Sequence, residues 1–326
     1  MKKKILNLIV LALVICLSIS VIPGCKEEKK DGPVLYQLGP DTDMLMMGYV
    51  IKTTNDKYIV IDGGSAGGSE GYILNALQDI TGQEIPEIEA WFLSHLHDDH
   101  VMEFCDLARY YVPEFADIKI NNVYFNFPSE KFMKKTEGGN YAFIRDRVAE
   151  SYDTFLGEGE FEKTNGKNVF EGDTIYIDDV KIDILLTVTD EEKETNINDT
   201  SLIFRVTMAD QTVLFLGDAG VAEGKRLLEK YGEDLKSDFV QMAHHGQGGV
   251  DKDVYEAINP TVCLWPAPRW VFNNINGNLQ SFVVRQWMID IGVKYHIISG
   301  IDFTQSFDFP VDFSKLEERD ITPPEA

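Results

Sequence analysis

The chain has 326 residues, of which 44% are hydrophobic, so it can bury a sizeable apolar core. Its formal net charge is −24, from 54 acidic and 30 basic residues. Affinity for nucleic acids and anionic membranes comes mainly from Lys and Arg, so this charge argues against an extended binding surface for either. The charge does not exclude a small substrate.

The first segment, residues 1–24, is predicted to be a secretory signal peptide. It has an N-terminal lysine run, an apolar stretch too short for a membrane span, and small residues before Cys25. The ending "VIPGC" resembles the lipobox of bacterial lipoproteins, which implies that Cys25 is lipidated. Residues 25–33 are charged and suit a tether. We therefore expect a lipid-anchored, extracytoplasmic protein of the Gram-positive type, with plain secretion as the alternative.

Apolar strand patterns and helical patterns alternate through the first half of the remaining chain, residues 34–326. Strands are predicted at "PVLYQLG", "LMMGYVIKTT" and "KYIVIDGG", a helix at residues 69–82, and a strand at "IEAWFLS". A strand near "IKINNVYFNF" and a helix near residues 139–156 follow. The polar stretch near residues 128–170 is predicted to be an insertion and a candidate lid.

The second half continues the alternation. Strands are predicted from "TIYIDDVKIDILLTV" to "TVLFLGD", then a helix at residues 221–231 and strands at "DFVQMA", "TVCLW" and "KYHIIS". Because helices and strands are mixed throughout, we predict one α/β domain with two packed sheets and outer helices. Cys105 and Cys263 either pair across a large sequence gap or, as we prefer, are small buried residues of a helix and an apolar run. His296 is interpreted as a core residue of a strand.

The histidines are concentrated at two points. Three of the six lie in "SHLHDDH", where His95, His97 and His100 accompany Asp99, and two more form the pair in "VQMAHHG". The first group follows an apolar strand and opens a helix, which is where α/β sheets place ligand sites. Imidazole and carboxylate suit zinc, with manganese or iron as alternatives, and one or two ions are expected. Asp218, at the end of "TVLFLGD", is a further candidate ligand.

These motifs, in this order, resemble the metallo-β-lactamase superfamily. The resemblance implies an αββα sandwich and a metal-dependent hydrolase. "NDTSLIFRV", "TVLFLGDAG" and "VQMAHHGQGG" look most like the hydrolase domain of ComEC-type competence proteins. That group usually has Asp in place of His97, whereas other groups have a ligand histidine where this chain has Asn198 and its neighbours.

The resemblance implies two metal sites that share a ligand. The first would use His95, His97 and a bridging Asp218; the second would use Asp99, His100, Asp218 and one of the paired histidines. His245 is preferred as that ligand, and His244 as a substrate contact. Asp99 would orient the attacking water, and the residues expected around the ligands or the substrate are Asp62, Asn198 and Arg269.

The resemblance to ComEC-type domains favours a small-molecule or short phosphodiester substrate, attacked at phosphorus by water that the metal activates. Hydrolysis of a lactam, lactone or thioester is the second hypothesis. A third, of another class, is a catalytically inactive binding lipoprotein that retains the fold, because a histidine expected near Asn198 is missing.

Overall fold

A computed structural model describes residues 32–40, 43–64, 71–111, 118–188 and 196–324. The predicted signal, Cys25 and all but the end of the predicted tether lie outside these residues. None of the helices within the described ranges is long and apolar enough to cross a membrane.

Short strands and amphipathic helices alternate along the chain. The strands, in chain order, are β1 (Val34–Gln37), β2 (Tyr49–Lys52), β3 (Tyr58–Ile61), β4 (Glu87–Ile88), β5 (Ala90–Phe92), β6 (Lys119–Ile120), β7 (Val123–Tyr124), β8 (Thr174–Ile177), β9 (Val180–Leu186), β10 (Ile203–Met208), β11 (Gln211–Phe215), β12 (Phe239–Gln241), β13 (Val262–Trp265), β14 (Tyr295–Ile298) and β15 (Gln305–Asp308). The α-helices are α1 (Tyr72–Thr81), α2 (Asp98–Asp106), α3 (Glu130–Lys135), α4 (Ala142–Leu156), α5 (Glu160–Thr164), α6 (Val221–Tyr231), α7 (Lys252–Ile258), α8 (Arg269–Phe272), α9 (Ser281–Ile291) and α10 (Ser299–Asp302).

Two large mixed sheets contain most of the strands. The first has the order β15-β1-β2-β3-β5-β7 and is antiparallel up to β3, then parallel. The second has the order β14-β13-β12-β11-β10-β9-β8 and is parallel from β11 to β14 and antiparallel from β8 to β11. Strands β4 and β6 form a small separate pair.

The two large sheets pack face to face because successive residues of their strands point to opposite faces, and the residues on both faces are apolar. Ile59 and Ile61 of β3 point into the layer between the sheets, and Val60 points to the outer helices. Aromatic rings fill the middle layer: the centroids of Phe92 and Phe204 are 5.3 Å apart. Helices cover both outer faces, so the chain has the predicted αββα architecture. Cys105 and Cys263 are buried free thiols, as expected.

The predicted insertion is packed against the rest of the fold. Its base is closed by a bridge between Asn126 and Lys167 and by the hydrogen bond from Phe127 N to Gly166 O, 2.8 Å. Several of its apolar side chains share a core cluster with α2 and the first sheet, namely Phe132, Met133, Ile144, Val148, Tyr152 and Phe161. The segment thus lies beside the helix that begins at "HDDH".

Candidate metal centre

The site is assembled at the carboxyl ends of four central strands. Asp62 follows β3, the "SHLHDDH" segment follows β5, Asp218 follows β11 and the paired histidines follow β12. Both sheets therefore contribute residues to one edge of the sandwich. This is the edge at which open α/β sheets place their ligands.

Four of the predicted ligands converge in a buried cluster. Each offers one ligand atom, and these atoms all lie within 4.8 Å of one another: the residues are Asp99, His100, Asp218 and His245. His100 Nε2 lies 3.2 Å from Asp218 Oδ1, and His245 Nε2 lies 3.0 Å from Asp99 Oδ2. Such a His/Asp cluster can hold a divalent metal ion.

The two imidazoles of this cluster are held by hydrogen bonds at their far nitrogens. His100 Nδ1 donates to Asp62 Oδ2 at 2.7 Å, and His245 Nδ1 donates to Pro266 O at 2.7 Å. Because carboxylate and carbonyl oxygens only accept, both neutral rings have their proton on Nδ1. Both Nε2 atoms therefore face the cluster with a free lone pair, which is the arrangement typical of histidine ligands.

His95 and His97 form a second group beside the first. The centroids of the His95 and His100 rings are 4.1 Å apart. The Ser94 hydroxyl donates to Asp62 Oδ2 at 2.7 Å, so at 3.0 Å it must accept from His95 Nδ1. His95 Nε2 then faces His97 Nδ1 at 3.1 Å.

His97 has a carboxylate at its other nitrogen. His97 Nε2 lies 3.3 Å from Glu137 Oε2, so the neutral ring donates there and leaves Nδ1 unprotonated. Two ring nitrogens that both present lone pairs repel each other unless a cation lies between or beside them. Nitrogen ligands of tetrahedral zinc are about 3.3 Å apart, close to the observed spacing of His95 and His97.

The polar atoms of the four-residue cluster fit a metal ion better than they fit each other. His100 Nε2, His245 Nε2 and Asp218 Oδ1 are buried and make no well-aligned hydrogen bond within the described residues. Such orphaned atoms are costly in a protein interior and call for a bound group. A divalent cation would satisfy all of them at once, so the donor set fits the metal that the sequence motifs imply.

The charges of the cluster also favour a bound cation. Burial alone lowers the pKa of His245, yet Asp218 and Asp99 outweigh it and raise that pKa to about 9. Burial likewise opposes the effect of three carboxylates on His100, whose pKa is nevertheless held well above its ordinary range. The carboxylates thus create a strongly negative environment that favours a cation at this point.

The local backbone decides which of the paired histidines enters the cluster. His244, His245 and Gly246 all have positive φ, at 49°, 55° and 74°. This left-handed turn places the fully buried His245 beside Asp218, whereas the His244 side chain is 33% exposed and its Nε2 lies 3.9 Å from Asp218 Oδ2. The structure thus brings His245 into the cluster and leaves His244 at its edge.

The segment where related groups have a further histidine forms a short 3₁₀ helix, Asn198–Thr200. Asn198 Oδ1 is buried and has no hydrogen-bond partner in the described part of the chain. Ser201 directly follows this 3₁₀ helix, and its Oγ accepts a hydrogen bond from Asp218 N at 3.1 Å. The segment therefore lies against the cluster.

Two other predicted site residues lie in different surroundings. Asp62 is fully buried and accepts hydrogen bonds from Ser94 and His100. Arg269 is exposed at the start of α8, and no hydrogen bond or ion pair within the described ranges joins it to the cluster.

Sequence reasoning missed the contribution of the insertion. Glu137 reaches His97, and the ring of Tyr141 lies 4.6 Å from the His97 ring, centroid to centroid. The available signal was "TEGGNY", in which two glycines follow a carboxylate within a helical pattern and predict a turn. Nothing in that pattern says what the turn contacts.

Fold and site together define an αββα protein with a His/Asp metal-binding cluster at its strand ends. The chain belongs to the metallo-beta-lactamase superfamily, whose sequence model matches residues 48–247. No curated protein sequence matches the chain.

Several solved structures are similar in fold. The metallo-beta-lactamase fold protein YhfI from Bacillus subtilis is 14% identical, with 85% of this chain and 100% of that chain covered and a TM-score of 0.47. CmlA, a diiron beta-hydroxylase from Streptomyces venezuelae, is 11% identical, with coverages of 86% and 54% and a TM-score of 0.46. A diphosphatase of the PhnP family is 13% identical, with coverages of 71% and 85% and a TM-score of 0.38.

Proposed function

We propose that the protein is a metal-dependent hydrolase that cleaves phosphodiester-type bonds. The observation that carries the hydrolase proposal is the buried cluster of lone pairs, in which each imidazole is fixed from behind by a hydrogen bond. A structural metal site is closed by four protein ligands, whereas the six candidate ligands of this centre exceed that number and form two neighbouring groups. The phosphodiester preference rests on the likeness of the strand motifs to ComEC-type domains.

The ligand groups support two adjacent sites. His95 and His97 would hold the first ion, Asp99, His100 and His245 the second, and Asp218 would serve both. Zinc is the proposed metal, with manganese and iron as alternatives. When bound, such ions polarise the phosphoryl group and lower the pKa of water.

The remaining roles belong to the residues at the edge of the cluster. The main chain of Asp99 is fixed, since its carbonyl oxygen accepts from Met47 N at 3.1 Å, so its carboxylate is held where it can orient a water molecule. His244 is partly exposed beside Asp218 and can donate a ring N–H to a substrate oxygen. Asn198 has a free amide oxygen near the same edge and is proposed as a polar substrate contact.

The test compares substrates on one protein preparation. Metal-depleted protein is reloaded with zinc, manganese or iron and assayed with bis(p-nitrophenyl) phosphate, nitrocefin and a panel of lactones and thioesters. We expect turnover of the phosphodiester above the others. Faster turnover of nitrocefin, a lactone or a thioester would replace the phosphodiester assignment, and absence of tight metal binding would favour the inactive binding lipoprotein.

A matched pair of carboxylate variants shows whether the activity belongs to this site. Asp99→Asn removes a member of the cluster and should lower kcat at least about a hundredfold. Asp98→Asn changes the adjacent carboxylate, which lies outside the cluster, and should retain most of the activity. Equal losses in the two variants would contradict the assignment of Asp99.

We also propose that Cys25 carries a lipid and anchors residues 34–326 outside the cytoplasm. The support is the lipobox-like "VIPGC" and the charged tether after it. Cys25→Ser should move the protein from the membrane fraction to the soluble fraction and abolish labelling by radioactive palmitate. Cys105→Ser, at a buried free thiol, is the control and should leave both unchanged. A Cys25→Ser protein that stays in the membrane fraction would rule out the anchor.

A further inference from the structure

The insertion between β7 and β8 contacts His97 of the "SHLHDDH" segment. The polar contact is made by the turn Thr136–Gly139, which joins α3 to the chain before α4. Within this turn Glu137 and Gly138 have left-handed backbone, with φ of 52° and 68°. A non-glycine residue in this conformation costs on the order of 1–2 kcal/mol, so the surrounding contacts must hold it there.

Those contacts use both oxygens of Glu137. Oε2 lies 3.3 Å from His97 Nε2, and Oε1 accepts from the main-chain N–H of Ile197 at 2.9 Å. Both contacts are hydrogen bonds that a carboxylate accepts. One side chain of the insertion therefore ties together the histidine loop and the segment in which Asn198 replaces the expected histidine.

We propose that Glu137 is the positioning residue of the first metal site and that the insertion is thereby a structural part of the metal centre. This inference rests on the proposed two-metal function. By accepting the Nε2 proton of His97, Glu137 leaves Nδ1 unprotonated and aimed at His95 Nε2, 3.1 Å away. A carboxylate behind a histidine ligand also raises its basicity and its affinity for metal.

A second contact fixes the same ring. Tyr141 packs on the His97 ring with centroids 4.6 Å apart and an interplanar angle of 59°. His97 is thus held at its outer nitrogen and against its ring face by two residues of the insertion. The Tyr141 contact limits rotation of the ring, while Glu137 determines which nitrogen has the proton.

The other three histidines proposed as metal ligands have hydrogen-bond partners outside the insertion. His95 is bonded by Ser94, His100 by Asp62 and His245 by Pro266, all of which follow strands of the two large sheets. The second metal site should therefore be independent of the insertion. Loss of Glu137 should weaken one of two bound ions and spare the other.

The test measures metal binding rather than catalysis. Zinc is titrated into the metal-depleted full chain in competition with a chromophoric chelator, for the wild type, Glu137→Ala and Glu137→Gln. The wild type should bind two ions, and each variant should bind one of them about 10- to 100-fold more weakly with the other unchanged. Glu130→Gln, at an exposed carboxylate of the same insertion that pairs with Lys134, is the control and should bind as the wild type does.

A second measurement reports the role of Glu137 without metal. Nitrogen-15 NMR of the metal-depleted protein distinguishes which ring nitrogen of His97 has the proton. The wild type should show it on Nε2, and Glu137→Ala should show a mixture, whereas Tyr141→Phe, which retains the ring, should resemble the wild type.

Several results would overturn the inference. They are a wild type that binds only one ion, a variant that weakens both ions equally or neither, and an unchanged His97 tautomer in Glu137→Ala. A wild type that binds two ions but hydrolyses none of the substrates would instead contradict the proposed function and leave the positioning role intact.

Discussion

Asp218 is the residue on which the two halves of the metal centre depend. Its carboxylate is only 2% exposed and lies between the imidazoles of His100 and His245. Those imidazoles, together with His244, hold the pKa of Asp218 well below its usual range although burial opposes them. The buried carboxylate therefore stays ionised, which is the form that binds a cation.

Metal should therefore stabilise the fold through this residue. Free zinc at a hundredfold excess over its Kd adds about 2.7 kcal/mol to the free energy of unfolding, which raises Tm. Asp218→Asn should lose most of that shift, while Asp210→Asn, at an exposed turn, should keep it. Thermal unfolding with zinc and with a chelator measures the difference. An undiminished shift in Asp218→Asn would place the metal elsewhere.

His296 makes a separate contribution to stability that depends on pH. Its Nε2 donates to Val293 O at 3.1 Å and its Nδ1 accepts from Trp265 Nε1 at 3.3 Å, so the neutral ring is fully bonded in the core. Burial lowers the pKa of His296 to about 4, although the bond to Val293 opposes it. The residue is the satisfied core histidine that the sequence predicts.

The direction of the pH effect follows from this depressed pKa. Between about pH 6.5 and pH 4 the unfolded chain takes up a proton at this histidine and the folded chain does not, so stability falls as pH falls. The loss is on the order of 3 kcal/mol across that window. Urea unfolding of metal-depleted protein should show a shallower pH dependence for His296→Gln than for the wild type. Parallel curves would contradict the argument.

At the scale of single residues, sequence predicts those ligands that lie near one another in the chain. The segment from His95 to His100 follows an apolar strand, and its residue types alone indicate metal chemistry. The Glu137–His97 contact joins positions 40 residues apart and depends on how the insertion folds back. Periodicity and composition contain no information about such a contact.

The turn after β12 is the element that directs a ligand into the site. Three consecutive residues, His244 to Gly246, have left-handed backbone. Glycine is required at the third position, because a Cβ on Gly246 would lie 2.4 Å from Trp265 Cε3. The buried indole therefore fixes the turn and, with it, the place of His245.

Gly246→Ala should be strongly destabilising and should weaken metal binding. The left-handed backbone costs about 1–2 kcal/mol for alanine, and the overlap with Trp265 adds about 1–3 kcal/mol. Gly277→Ala is the matched control, since the φ of Gly277, 70°, is close to that of Gly246, 74°, but no atom lies within 4 Å of the added Cβ. Urea unfolding should give a larger loss for Gly246→Ala, and equal losses would show that the indole exerts no constraint.

Elements with strong apolar patterns were predictable and the weakly patterned ones were not. Strands β3, β5 and β13 are apolar runs in the sequence because both faces of each are buried. Strand β15, with sequence QSFD, has one buried residue, Phe307, and gives no such signal. Its existence depends on pairing with β1, which only the folded chain provides.

At the scale of the whole molecule, the αββα architecture could be predicted from the alternation of elements and the resemblance of the motifs. Strand order could not, since it depends on contacts between distant segments. Gln37 is an example: it is fully buried, and its Nε2 donates to Trp265 O in the other sheet at 2.9 Å, 228 positions later. A polar residue in such a place has no recognisable signature in sequence.

The pairing of β1 with β15 also determines when the chain can finish folding. Gly39 N donates to Thr304 Oγ1, 265 positions later, so β1 completes its contacts only when the segment that contains β15 folds back onto it. Until then the outer edge of β1 has unpaired main-chain groups beside apolar residues such as Leu35, a combination that favours aggregation. Folding of this protein should therefore depend on protection of β1 until β15 is in place.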